Sequence, residues 1–234
     1  MAAALGWGAL AASSLVLGVI LAFVRPWHSR TVGLVLAFGA GALISAVSFS
    51  LTDEGFEVGR EWAVGVGLAS GALVYYGAGR ALARWSAGRG GGDSGTELAL
   101  GSFLDGIPEQ FVLGVGLAGG QGISVALLLA IFVSNLPEGI GAAADMSAAG
   151  TERRKILGLF VIVGVICTLS AGVGFGVADS ISGNVQAAVD GFAAGALLVM
   201  LIDSMIPEAR EKGGQAAGLL AVLGFAVATA LANA

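Results

Sequence analysis

The chain has 234 residues, 56% of them hydrophobic and only 12% charged, with a formal net charge of −5. Soluble domains are about a quarter charged, so this composition, with a mean hydropathy of +0.91, argues against a water-soluble fold. The negative balance argues against a nucleic-acid surface, and a single cysteine, Cys167, leaves no disulfide within one chain.

Apolar runs of about 20 residues, enough to cross a bilayer, recur from end to end. Eight are read, at roughly 4–24, 31–51, 62–79, 97–118, 122–144, 155–177, 187–206 and 215–232. The first lacks a basic leader, is long, and is followed by Arg25 and Arg30, so it reads as a retained helix rather than a signal peptide. Between the second and third runs lie Asp53, Glu54, Glu57 and Glu61, a solvated loop or a cation-attracting vestibule. Ser86–Gly95 (SAGRGGGDSG) reads as a flexible inner loop. Of the 11 Lys and Arg residues, only Arg60 falls on the second side of such an arrangement. The positive-inside rule then sets both termini outside. The expectation is an all-α, polytopic membrane protein of eight transmembrane helices, with residues 1–234 forming one domain. Its 40 glycines permit close helix approach, as at Gly191-xxx-Gly195.

Three of the four prolines precede a glutamate, in Ile107-Pro108-Glu109, Leu136-Pro137-Glu138 and Ile206-Pro207-Glu208. An ionised carboxylate costs roughly 2.5–3.5 kcal/mol in hydrocarbon even on lenient insertion scales, and a proline leaves a carbonyl unpaired in the preceding turn. Aligned on their Pro-Glu pairs, LDGIPEQ and SNLPEG form a duplicated motif in consecutive runs, their glutamates 29 residues apart. The tight loop Gly119-Gly120-Gln121-Gly122 between them predicts antiparallel neighbours whose motifs face each other. Residues four apart share a helix face, which pairs Asp105 with Glu109 and Ser134 with Glu138, with Asn135 bordering that face. Pro108 frees the carbonyl of Leu104, and Pro137 that of Val133. Three carboxylates, an amide and a hydroxyl suit a divalent cation. The competing readings are a plain proline kink, a protonated glutamate, and for Ser134 a helix-packing hydroxyl.

LDGIPEQFVLGVGL and SNLPEGIGAAADM resemble the fourth and fifth helices of the ZIP metal-ion transporters, whose motifs read HNxPEG-like. The likeness extends to eight spans, outward termini, the inner loop after the third span and the seventh span, GFAAGALLVMLIDSMIPEA. The resemblance implies metal ligands at Asp105, Glu109, Ser134, Asn135 and Glu138. It also implies exit-path roles for Asp203 and Glu208, which otherwise read as ordinary interfacial charges, and an elevator-like movement of the first, fourth, fifth and sixth helices. Asp105 stands at the first-motif histidine position, Gly106 replaces asparagine, Gln110 replaces glycine, and Ser134 stands at the second histidine position. A glutamate that bacterial two-metal relatives take from the sixth helix falls near Cys167, a soft ligand or a small buried hydrophobe. The one histidine, His28, lies in the first inner loop. One principal site is therefore expected. Oxygen donors favour manganese or ferrous iron over zinc.

The expected function is transport of a divalent metal (zinc, manganese or iron) into the cytoplasm, the metal being substrate, with no organic cofactor and no enzymatic activity. A metal-binding or sensing protein of the same fold is the alternative. A hydrolase built on Asp105, Glu109 and Ser134 lacks a histidine base. The partners are the metal ion and the lipid bilayer, with a homodimer left open and no nucleic acid. Abundant alanine and glycine, with arginine above lysine, point to a bacterial inner membrane.

Overall fold

The computed structural model describes residues 1–87, 94–118 and 125–232, with side chains for all of these except 50, 51, 53, 54, 82, 85–87, 94–103 and 126. Most of the 86–95 loop, the Gly119–Gly122 connection and the side chains of Asp53 and Glu54 lie outside the described residues. Among the described residues all regular structure is helical. Helices α1 (Ala2–Val24) and α2 (Ser29–Ala46) are followed by a π-helical segment (Val47–Thr52) and α3 (Asp53–Val58). Then come α4 (Glu61–Ala87), α5 (Ser94–Ala118), α6 (Val125–Ala148) and α7 (Arg153–Asp179). Helix α8 (Asn184–Met200) continues through a second π segment (Leu201–Met205) into α9 (Ile206–Gly213), a 3₁₀ turn (Gly214–Ala216) and α10 (Ala217–Ala232).

Among the described residues, five stretches are long and apolar enough to cross a membrane: Ala2–Val24, Ser29–Phe49, Leu127–Ala148, Arg153–Asp179 and Asn184–Ala232. The last has 49 residues, more than one crossing needs. Helix α4, which carries Glu61, Arg80 and Arg84, falls outside this set. Large apolar side chains stand exposed on the outer faces, including Leu73, Ile162, Leu219 and Val222. Many exposed large apolar side chains on long apolar helices are what a membrane-facing surface requires.

Two differences from the sequence reading concern helix ends. The acidic segment read as a loop is largely the short helix α3. The seventh run does not stop near residue 206 but continues as α9, so Pro207 and Glu208 lie within a helical path. Proline at 207 has no N–H to return to the carbonyl four residues earlier. The wider turn of Leu201–Met205 ends just before it and absorbs the mismatch. Pro108 and Pro137, by contrast, lie inside continuous α-helices.

Helix α1 packs on α6 and α7, α5 on α7, α2 on α6, α9 and α10, and α4 on α8. Helices α5 and α6 do meet, but each buries its larger faces elsewhere. The α4–α8 seam shows why small residues recur. A Cβ at Gly67 or Gly71 would run into the Ala188 or Phe192 carbonyl of α8, and one at Gly191 or Gly195 into that of Val64 or Leu68 on α4. Backbones this close gain dispersion contacts that larger side chains would prevent. One apolar core gathers Leu36, Leu43, Val112, Leu113, Ile131 and Leu197. A second holds α1, α6 and α7 together through Leu15, Val19, Met146, Ile156 and Phe160.

Candidate functional site

Asp105, Glu109, Glu138 and Glu208 line one small cavity, together with Leu36, Met200, Ser204 and Met205. Its volume is about 10 Å³, room for one water-sized particle. Helices α5 and α6 supply the first three carboxylates, and α9 supplies the fourth just after its proline. Ser170 of α7 anchors α5 beside Pro108, its hydroxyl donating to the Ile107 carbonyl at 3.0 Å.

Glu109 is only 2% exposed. Ser134 Oγ lies 3.3 Å from Glu109 Oε1 and 3.0 Å from the Ile131 carbonyl, so one proton is shared between two acceptors. Glu109 Oε2 and both polar atoms of Asn135 have no hydrogen-bond partner among the described residues. Asn135 lies beside Glu109 but outside hydrogen-bond geometry with it. A buried carboxylate oxygen and a buried amide left unpaired are each unfavourable by about 1–3 kcal/mol. A cation accepted between them would relieve the carboxylate oxygen and the amide oxygen.

Asp105 is differently placed. Tyr75 of α4 donates its hydroxyl to Asp105 Oδ1, and Ser204 of the π segment donates to Oδ2 at 2.8 Å. Among the described residues, no three His, Cys, Asp or Glu side chains gather closely enough to hold a metal ion. The carboxylates share the cavity while Asp105 is drawn toward α4 and the π segment. Removing one of its two donors should destabilise the protein. Tyr75→Phe, which keeps the ring, is expected to lower stability by about 1–2 kcal/mol, measured as thermal unfolding in detergent. Because both donors serve one carboxylate, Tyr75→Phe and Ser204→Ala together should depart from additivity.

Of the five residues expected to bind metal, Asp105, Glu109 and Glu138 face the cavity, while Ser134 and Asn135 are buried behind Glu109. Tyr75, Ser204, Met200 and Met205 had no signal in the motif spacing, because the fold brings them in from other helices. Cys167 is fully buried in the α1–α6–α7 core and does not line the cavity. A Cβ on Gly106 would stand 2.7 Å from its sulfur. Asp203 and His28 are exposed and line no part of the cavity. Gln110 is completely buried, and neither its amide oxygen nor its nitrogen has a hydrogen-bond partner among the described residues.

The sequence matches no family model, and no curated protein matches it.

Proposed function

We propose that this chain is a divalent-metal permease resembling the ZIP transporters, passing ions through the carboxylate cavity into the cytoplasm. The observation that carries the reading is Glu109, a nearly inaccessible carboxylate with one oxygen unpaired among the described residues, facing a one-particle cavity shared with three further carboxylates. A chain has little reason to bury such a group unless a cation or proton compensates it. Eight passes follow if α1, α2–α3, α4, α5, α6, α7, α8–α9 and α10 each cross once. Both termini then lie outside, and the arginine-rich loops face inward.

Glu109 and Glu138 are the central ligands, with Asp105 joining when Tyr75 and Ser204 release it. Asn135 flanks them, and Ser134 acts weakly or through water. This oxygen-rich set favours manganese or ferrous iron, with zinc also admitted. Gly106 and Cys167 pack against each other where the resembled family carries polar ligands, which favours one principal site. The mutual packing of α1, α5, α6 and α7 suits an elevator-like movement of that group against the others. A bacterial inner membrane and a homodimer complete the reading. Cells making the native chain should accumulate manganese or zinc above cells making E109A/E138A at equal membrane levels. Equal accumulation removes the proposal, and metal bound without accumulation turns it toward a sensor.

A further inference from the structure

We propose that Lys212 is a tethered cation that closes the inner end of the carboxylate cavity and weakens its hold on metal at the exit; this rests on the transport reading. Lys212 Nζ lies 2.7 Å from Glu208 Oε1, an i, i+4 pair on α9. On an exposed helix such a pair means little. Here the two partners belong to two different cavities. Glu208 lines the small cavity with Asp105, Glu109 and Glu138. Lys212 lines a second, open cavity of about 210 Å³, with Arg25, Trp27, Ser29, Gly141 and Asp145. The ion pair is therefore the partition between them.

The pair is also clamped. A Cβ on Gly141 of α6 would stand 3.0 Å from Lys212 Nζ and 3.7 Å from Glu208 Oε1. A Cβ on Gly33 of α2 would stand 2.6 Å from Lys212 Cβ. Two helices thus press on the lysine, one at its head and one at its stem. The second cavity lies among the end of α1, the start of α2 and the second half of α6, and the Arg153 guanidinium stands 5.3 Å over the Phe23 ring at that same end of α1. This is the basic end of the bundle, the side the transport reading makes cytoplasmic.

An ammonium here neutralises one of four carboxylates and repels a divalent ion approaching Glu208. A metal held deeper, at Glu109 and Glu138, reaches the second cavity only by displacing Lys212 from Glu208. Once the ion has left, the tethered ammonium reclaims its partner and opposes re-entry. Lys212 thus acts through Glu208 as a positioning residue.

The test is equilibrium dialysis of manganese(II) against the purified full chain in detergent. K212M should bind about threefold to tenfold more tightly than native, the range of one partly buried ion pair, and K212R should return affinity to the native level. E208Q strands the ammonium beside the cavity and should bind more weakly, and E208Q/K212M should recover that loss. Native binding with K212M unchanged or weaker overturns the plug and leaves the transport reading standing. No manganese or zinc retained by the native chain overturns the transport reading and the plug together. Should K212M fail to fold, the comparison of E208Q with E208Q/K212M decides the same question, and no recovery overturns the plug.

Discussion

Replacing Glu109 with glutamine is expected to lower affinity for manganese(II) or zinc by about 100-fold or more, since even residues that only support a ligand are worth about 10–100-fold. Glutamine keeps the shape of the side chain and an oxygen for the Ser134 hydroxyl now 3.3 Å away. What it removes is the charge. Metal-free stability should hold or rise, because the substitution takes a nearly inaccessible carboxylate out of a poorly compensated site. The pairing of lost binding with retained stability, read by dialysis and thermal unfolding on one preparation, separates a ligand from a structural residue. Ser134→Ala should change affinity far less, because the hydroxyl also serves the Ile131 carbonyl.

Gly195→Val is expected to destabilise the protein by about 3 kcal/mol, the upper end of overpacking effects. The new Cβ would be driven into the Leu68 carbonyl on α4, where no side chain can swing aside. Because α4 carries Tyr75 and α8 leads into Ser204, a shift of this seam also disturbs the two donors to Asp105. Gly77→Ala on the same α4 is the contrast. A Cβ there meets nothing within 4 Å, and alanine gains about 0.5–1 kcal/mol over glycine in a helix. Thermal unfolding in detergent should therefore move in opposite directions for the two variants.

The helical class, the apolar character and the motif carboxylates were legible because each rests on local pattern. Length and hydropathy mark the runs, and Pro-Glu pairs in apolar surroundings are costly enough to be conspicuous. The partners of Asp105 were not legible. Tyr75 lies 30 residues before it and Ser204 lies 99 residues after it, and no period links three helices that meet only in space. Glu208 was visible as a third Pro-Glu pair, but its place in the cavity depends on the chain continuing helically past Pro207. A helix end at residue 206 follows from hydropathy alone, since IPEAREKG is polar, while the path beyond it is decided by packing on α2. Glycine spacing forecast close contact at Gly191 and Gly195, and the seam with α4 is that contact. The short connection predicts that α5 and α6 are neighbours, and they do meet, with Ser134 of α6 3.3 Å from Glu109 of α5. Their larger faces go to α7, α1 and α2, a choice made by side-chain fit that the connection does not encode.

Metal uptake into proteoliposomes, with zinc, manganese, iron(II) and cadmium offered to the native chain and to E109A, puts transport itself to the test. Uptake by the native chain, favouring manganese or iron(II) and abolished in E109A, is the expected result. No uptake of any of the four ions, in vesicles shown to contain folded native protein, would contradict it.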